Sequence, residues 1–234
     1  MHALVVGASG GLGAAFVSLL AADPRFTHIT CWSRSATPVT GAKLSGARID
    51  LVDEATIEAA AGKLDEIDLA IVTTGLLHDG DHRPEKSWRS IDPATMRRVF
   101  EINTIGPAIV AKHVLPHLVG NRRSVFAVLS ARVGSISDNR SGGWHSYRAS
   151  KAALNQIIRC LGIELALKRP QALCVGLHPG TVDTDLSRPF QANVEDGRLF
   201  TAMHAARSLL GVIDDLTPSQ SGRVFDWAGK EIVP

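Results

Sequence analysis

Cysteine is scarce in this chain, and its three copies form no recognisable pattern. Cys31, Cys160 and Cys174 lie far apart in the 234-residue sequence, without the paired spacings of a disulfide framework or a zinc site. We therefore expect reduced cysteines buried in the core of a cytoplasmic protein. The length suits one domain, residues 1–234, and we find no internal linker, repeat or low-complexity segment.

An excess of charge of one sign is also lacking. Lysine plus arginine number 25 and aspartate plus glutamate 23, which leaves a net charge of +2. No basic patch stands out, so we expect no nucleic-acid partner.

His113 and His117 are four residues apart, but no carboxylate ligand accompanies them in the sequence, so we expect no metal site.

The uncharged stretch Ala3–Ala22 has neither the layout of a signal peptide nor that of a membrane span. No basic segment precedes it, and the glycines Gly7, Gly10, Gly11 and Gly13 divide its apolar run. We interpret it as a strand, a tight turn and a helix, and we expect no membrane partner.

Apolar strand-like runs alternate with helical patterns along the whole chain. The predicted strands are Ala3–Val6, Thr27–Trp32, Ala47–Ile49, Ile67–Val72, Val125–Leu129, Leu173–Leu177 and Val224–Trp227. The predicted helices are Leu12–Ala22, Asp53–Leu64, Asp92 to about His117, Tyr147 to about Leu167, and Thr201–Ile213. This alternation predicts an α/β, doubly wound parallel sheet (a Rossmann fold) with helices on both faces.

The turn from Gly7 to Gly13 joins the first predicted strand to the first helix. Its glycines let the backbone turn tightly and approach a pyrophosphate, and the helix amino terminus presents free N–H groups. The order of strand, glycine turn and helix predicts a dinucleotide site.

The end of the second strand indicates which dinucleotide binds. The segment Trp32-Ser33-Arg34-Ser35 has no acidic residue that could accept the ribose hydroxyls of NAD. Arg34, with Ser33 or Ser35, could hold a 2′-phosphate, so NADP(H) is favoured over NAD(H); the alternative is that Arg34 is an ordinary surface residue. Asp50, placed at the end of the third strand, could accept a hydrogen bond from the adenine amino group.

Tyr147 and Lys151 lie one helical turn apart, so both side chains project from one face. A nearby ammonium group favours phenolate, which predicts that the pKa of Tyr147 is lowered from its ordinary value of roughly 10. Such a pair can serve as a proton donor and acceptor, although this spacing also occurs by chance.

In its motifs the chain resembles the short-chain dehydrogenase/reductase family over essentially its whole length. The matching positions are Gly7-x-x-x-Gly11-x-Gly13, Asp50, Asn103, Ser130, Tyr147-x-x-x-Lys151 and Pro179-Gly180-x-Val182-x-Thr184. Segments 130–139 and 225–232 resemble more narrowly the C-factor and sniffer-type carbonyl reductase branch.

The resemblance implies an enzyme that interconverts a small carbonyl compound and an alcohol with a nicotinamide cofactor. Tyr147 would be the general acid, Ser130 would bind the substrate oxygen, and Lys151 would lower the Tyr147 pKa and hold the nicotinamide ribose. Asn103 would link Lys151 to a relay water. The implied cofactor contacts are Gly7, Ser9, Gly10, Gly11, Leu12, Gly13, Ser33, Arg34, Asp50, Leu51, Thr73, Thr74, Gly75, Tyr147, Lys151, Pro179, Gly180, Val182 and Thr184. A homodimer is expected by analogy.

Two departures from the family limit the inference about substrate. Thr73-Thr74-Gly75 stands where the family usually has Asn-Asn-Ala-Gly, and the loop between Ser130 and Tyr147 is longer than usual. We expect loops 76–89, 131–146 and 183–200 to surround the substrate. Two alternatives remain at this point: a nucleotide-binding signalling or regulatory protein of C-factor type with little turnover, and a sugar-nucleotide epimerase.

Overall fold

The computed structural model of the protein describes residues 1–35, 41–80, 82–195 and 197–234. Its strands are β1 (His2–Val6), β2 (His28–Ser33), β3 (Leu44–Arg48), β4 (Leu69–Val72), β5 (Ser124–Leu129), β6 (Ala172–His178), β7 (Thr181–Val182), β8 (Leu199–Phe200) and β9 (Val224–Asp226). Seven of them form one parallel sheet in the order β3-β2-β1-β4-β5-β6-β9, while β7 and β8 form a small second sheet. The predicted doubly wound parallel sheet is confirmed.

Helices cover both faces of the sheet. They are α1 (Gly11–Ala22), α2 (Glu54–Ala61), α3 (Pro93–Phe100), α4 (Gly106–Val114), α5 (His145–Lys168) and α6 (Ala202–Asp215). One buried cluster packs α1 and α6 against the sheet, and a second packs α2, α4 and α5 against the other face. In β1, Ala3 and Val5 belong to the first cluster and Leu4 and Val6 to the second, which is why this strand is apolar throughout.

The strand order reverses between β1 and β4, which lie side by side. The chain runs outward from β1 through β2 to β3, and then returns to β4 and runs outward the other way. In open α/β sheets ligands bind beyond the carboxyl ends of the strands at such a point. The glycine turn after β1 and the Thr73–Gly75 segment after β4 both lie there.

Some predicted boundaries were wrong. The third strand is Leu44–Arg48 rather than Ala47–Ile49, so Asp50 lies two residues beyond its end. This strand is at the edge of the sheet with half-exposed side chains, so its apolar pattern is weak. The β7–β8 pair was not predicted.

Cys160 is exposed, whereas Cys31 and Cys174 are buried as expected.

The helical segment after Asp92 is continuous but changes its geometry. Asp92 caps α3 by accepting a hydrogen bond from the Thr95 backbone N–H at 2.7 Å. A π-helical turn, Glu101–Ile105, then separates α3 from α4, and Pro107 lies in the first turn of α4. Because proline has no N–H to donate, the regular ladder is interrupted here, as Pro107 predicted. No helix in the described ranges is long and apolar enough to cross a membrane.

Candidate active site

The glycine turn is packed so tightly at Gly7 and Gly13 that a side chain is excluded at both positions. Gly7 has φ +87°, and a Cβ atom there would lie 2.6 Å from Thr73 Oγ1. A Cβ atom on Gly13 would lie only 2.1 Å from the carbonyl oxygen of Gly7. Gly10 is the N-cap of α1 and has no side chain that could cap the first N–H groups of this helix. These features fit a site where a phosphate approaches the backbone.

Ser33 and Arg34 end β2 at the same edge of the sheet. Ser33 is buried and its hydroxyl donates to the Ser35 carbonyl oxygen at 2.5 Å, whereas Arg34 is exposed. Among the described residues no acidic side chain forms an ion pair with Arg34. Within those residues, no carboxylate competes with an anionic ligand for its guanidinium group.

Asp50 and Leu51 form a turn beyond β3. Asp50 Oδ1 accepts the Val52 backbone N–H at 3.2 Å, which leaves the other carboxylate oxygen for a ligand. Leu51 packs against Gly106, where a Cβ atom would lie 2.9 Å from the Leu51 Cβ. This contact joins the turn to the start of α4.

Asn103 lies in the π-helical turn and is fully buried. Its Oδ1 accepts the Leu76 N–H at 2.7 Å, and its Nδ2 donates to the Leu76 carbonyl at 2.8 Å and to Ser150 Oγ at 3.1 Å. It therefore joins the start of loop 76–89 to α5. A Cβ atom on Gly75 would lie 3.7 Å from Asn103 Oδ1 and 3.8 Å from Lys151 Nζ, so both groups border Gly75.

Tyr147 and Lys151 occupy the first two turns of α5, both buried. Lys151 Nζ donates to the Leu129 carbonyl at 2.9 Å and lies 6.0 Å from the centroid of the Tyr147 ring. Ser130, at the end of β5, donates its hydroxyl to Asn155 Oδ1 at 2.5 Å. Ser130 therefore contacts α5 two turns after Tyr147, and the next residue, Ala131, packs in one cluster with Tyr147.

Burial dominates the proton affinities of the pair. It raises the pKa of Tyr147 to about 12 and lowers the pKa of Lys151 to about 8. The pKa of Tyr147 is therefore raised in this structure and not lowered as the spacing from Lys151 predicts, and the cause is desolvation of the phenolate by burial. At neutral pH the pair consists of a phenol and an ammonium group, which is the proton-donating form.

We expect the difference in unfolding free energy between the wild type and Lys151→Met to change with pH, because burying the charged Lys151 ammonium group destabilises the folded protein. The unfolded chain holds the Lys151 proton up to its ordinary pKa of 10.5, and the folded protein only to about 8. The unfolding free energy of the wild type should therefore rise between these pH values, by up to about 3 kcal/mol relative to Lys151→Met. Urea unfolding of both proteins at several pH values measures the difference. A difference that does not change with pH would contradict the lowered pKa.

Glu85 is a site residue that the sequence did not reveal. Its carboxylate is buried, accepts the Ser146 backbone N–H at 3.2 Å and accepts the Ser146 hydroxyl. Its backbone oxygen accepts the Trp144 N–H at 2.5 Å. Trp144, at φ +50°, precedes α5 and provides no side-chain cap, so Glu85 caps the helix that carries Tyr147. No local pattern could reveal a cap 61 residues away in sequence.

The three predicted substrate loops meet around Tyr147. The Trp144 ring lies 6.2 Å from the Tyr147 ring and 5.1 Å from the Phe190 ring. His78 packs edge-on against Phe190 at 5.7 Å. The residues of this mainly apolar wall are Leu77 of the first loop, Ala131, Val133 and Trp144 of the second, and Leu186 and Phe190 of the third. Asp81 and Asp196 of these loops lie outside the described residues.

The segment after β6 returns to the glycine turn. Gly180 has φ +77° and lies under Phe200 and Trp227. Val182 belongs to β7, and Thr184 approaches the turn so closely that a Cβ atom on Gly11 would lie 3.1 Å from its methyl group. The structure thus brings the predicted contacts after β6 against those after β1.

No cluster of three or more metal-binding side chains occurs among the described residues. His113 Nε2 instead contacts Glu54 Oε1 at 2.8 Å on the protein surface. The geometry therefore places a buried phenol beside a mainly apolar wall, and a tight glycine turn before the first helix.

Comparison with known proteins agrees with this description. A family model described as short chain dehydrogenase matches residues 1–195. C-signal of Myxococcus xanthus is 41% identical over 143 residues, which cover 61% of this chain and 80% of that protein. The 1-hydroxy-2-glutathionyl-2-methyl-3-butene dehydrogenase of Rhodococcus sp. (strain AD45) is 35% identical over 175 residues, which cover 75% and 74%.

Two solved structures resemble the whole chain. The NADPH-bound carbonyl reductase from chicken fatty liver has a TM-score of 0.82 at 26% identity, covering 100% of this chain and 98% of that one. The carbonyl reductase Sniffer of D. melanogaster has a TM-score of 0.85 at 21% identity, covering 100% and 99%, and shows the shared fold.

Proposed function

This chain belongs to the short-chain dehydrogenase family, and we propose that it is an NADP-dependent reductase that converts an aldehyde or ketone to an alcohol. The observation that carries the proposal is the arrangement along α5. Tyr147 and Lys151 lie on this helix, and Asn155 holds Ser130 beside it. A module that only binds a nucleotide has no need for this set.

The chain's residues would position the carbonyl and supply the proton. Tyr147 would donate its phenolic proton to the substrate oxygen, and it holds that proton at neutral pH because burial raises its pKa to about 12. Ser130 orients the same oxygen, so its hydroxyl hydrogen turns from Asn155 to the substrate when the substrate binds. Lys151 is fixed through one N–H to Leu129, which leaves its other N–H groups for the cofactor ribose.

The cofactor would lie across the carboxyl ends of β1 and β4, and when bound it supplies the hydride. The glycine turn and the first N–H groups of α1 would hold the pyrophosphate. Asp50 would contact the adenine, and Thr73–Gly75 would allow close approach to the backbone. Residues Pro179 to Thr184 would contact the nicotinamide end.

Arg34 supports NADP over NAD, and Arg34→Ala tests this preference. The guanidinium group would form charge-assisted hydrogen bonds with the 2′-phosphate, so its loss should weaken NADPH binding about 10- to 100-fold. NADH lacks that phosphate, so its affinity should barely change. Fluorescence titration with each cofactor measures both affinities, and Arg207→Ala, an exposed arginine on α6, is the control. Tighter NADH binding by the wild type would contradict the assignment.

The substrate would be small and largely apolar, because the wall around Tyr147 is formed by Leu77, Trp144, Leu186 and Phe190. We propose that loops 76–89, 131–146 and 183–200 enclose it within one domain spanning residues 1–234. The direct test is NADPH oxidation by the purified protein with a panel of aldehydes, ketones and quinones. Absence of turnover across this panel, with NADPH bound, would contradict the proposed reductase.

A second candidate is a nucleotide-binding regulatory protein with little turnover, favoured by the similarity to C-signal. It predicts that NADPH binds and that no carbonyl compound is reduced. The turnover panel therefore separates the two candidates.

A further inference from the structure

The segment before α5 has an unfavourable backbone conformation directly beside Tyr147. Gly142, Gly143 and Trp144 have left-handed φ angles of +60°, +64° and +50°. Glycine adopts this conformation readily, but a residue with a Cβ atom does so at a cost in free energy. Trp144 is the one non-glycine residue with a positive φ among the described residues. Contacts from elsewhere in the fold must therefore hold it in place.

Glu85 supplies these contacts through both its backbone and its side chain. Its carbonyl oxygen accepts the Trp144 N–H at 2.5 Å, and a Cβ atom on Gly143 would lie 3.4 Å from the same oxygen. Its carboxylate accepts the Ser146 N–H at 3.2 Å and also accepts the Ser146 hydroxyl. The Glu85 and Ser146 side chains are buried, so losing one partner would leave the other unsatisfied away from water.

The two residues that Glu85 holds are immediate neighbours of the substrate site. Trp144 places its ring 6.2 Å from the Tyr147 ring and 5.1 Å from the Phe190 ring. Ser146 directly precedes Tyr147 in the first turn of α5. Glu85, Ser146 and Tyr147 also line one cavity of about 10 Å³, which is room for about one water molecule. The exclusion of water from Tyr147 therefore depends on how loop 76–89 is attached to α5.

The charged and titratable groups around Tyr147 come from three elements. On α5, Lys151 Nζ lies 6.0 Å from the centroid of the Tyr147 ring. Across the cavity, loop 76–89 and α3 contribute His78, Asp79, His82, Arg83, Glu85 and Arg98. Arg98 forms an ion pair with Asp79 at 2.8 Å, and the other two substrate loops add apolar side chains. Of the six groups across the cavity only Glu85 is buried, and it is the one bonded to the start of α5.

We propose that Glu85 is a positioning residue of the reductase: through Trp144 and Ser146 it fixes Tyr147 and closes the substrate site around it. The proposal rests on the reductase function proposed above, because it concerns the same site. The carboxylate acts here as a hydrogen-bond acceptor, and its charge is not required. Glutamine keeps an acceptor for the Ser146 N–H and can donate to the Ser146 hydroxyl oxygen, whereas alanine removes both contacts.

The ionisation of Tyr147 provides a test that needs no turnover. Tyr147 is the only tyrosine in the chain, and burial raises its pKa to about 12. In Glu85→Ala the start of α5 should admit water, so the pKa of Tyr147 should fall toward its ordinary value. Phenolate absorbance at pH 10 should then be at least about tenfold higher than in the wild type.

The controls separate hydrogen bonding from charge. Glu85→Gln should titrate as the wild type, and so should Glu164→Ala, which removes an exposed carboxylate from the same helix. Circular dichroism checks that each variant is folded. If Glu85→Ala does not fold, Ser146→Ala takes its place, because it removes one of the two side-chain contacts. The proposal is overturned if the alanine variant titrates as the wild type, or if folded Glu85→Gln titrates as Glu85→Ala.

Turnover provides the second test and separates the two proposals. Glu85→Ala should lower kcat for carbonyl reduction about 10- to 100-fold, because a small displacement of a reacting group has an effect of this size. It should also raise KM for the carbonyl compound through Trp144, and Glu85→Gln should restore both values. Unchanged kcat and KM in Glu85→Ala would overturn the positioning role and leave the reductase standing. A Tyr147 titration that depends on Glu85, without reduction of any carbonyl compound by the wild type, would overturn the reductase and with it the catalytic purpose of this contact.

Discussion

Replacing Tyr147 with phenylalanine is expected to lower kcat/KM for carbonyl reduction about 100- to 10,000-fold, the usual contribution of a general acid. The phenol is the proposed proton donor, and it contacts the mainly apolar wall and has Lys151 Nζ 6.0 Å from its ring centroid. Phenylalanine keeps the ring and its packing against Trp144, so folding and NADPH binding should survive. Steady-state NADPH oxidation and an NADPH titration of both proteins measure the two effects.

The control for this substitution uses a feature of the composition. Tyr147 is the only tyrosine among the 234 residues, so phenolate absorbance reports on this side chain alone. At pH 10 about half of an ordinary tyrosine is ionised, but the folded wild type should show almost no phenolate, because burial raises the pKa of Tyr147 to about 12. Protein unfolded in urea should show the ordinary signal, and Tyr147→Phe should show none. Full turnover by Tyr147→Phe would refute the proposed mechanism.

The features that the sequence predicted well are those that a local pattern determines. Apolar runs that alternate with segments of helical periodicity predict a parallel sheet covered on both faces. Glycines between a strand and a helix predict a tight turn that joins the two elements. The edge strand β3 was misplaced because Leu44–Arg48 is only half buried. Its environment decides its conformation more than its own residues do.

The missed features depend on contacts between distant segments. Glu85 caps α5 from another loop, and Arg132 reaches Asp226 of β9, 94 residues later. The direction of the Tyr147 pKa shift was wrong for a related reason. The spacing of Tyr147 and Lys151 is visible in the sequence, but the burial that desolvates the Tyr147 phenol comes from residues of loops that are distant in sequence.

The same substitution, glycine to alanine within a helix, is expected to have opposite effects at Gly13 and Gly211. Alanine has a helix propensity about 1 kcal/mol better than glycine. Gly211 lies exposed in α6 with no atom within 4 Å of a Cβ position, so Gly211→Ala should stabilise the protein by about 0.5–1 kcal/mol. Thermal unfolding measures this, and a stability loss there would show that the propensity argument fails in this chain.

At Gly13 sterics outweigh propensity. The new Cβ atom would lie 2.1 Å from the carbonyl oxygen of Gly7 and 2.9 Å from Thr73 Oγ1. The first obstacle is backbone, so it cannot be relieved by a rotamer change, and overpacking of this kind costs about 1–3 kcal/mol or more. Gly13→Ala should therefore lose at least about 2 kcal/mol of stability, equivalent to roughly 4–8 °C in Tm. It should also lose NADPH binding, because relief of the clash moves the turn proposed to hold the pyrophosphate. An unchanged Tm with normal NADPH binding would show that the close contact of α1 with the turn is unnecessary.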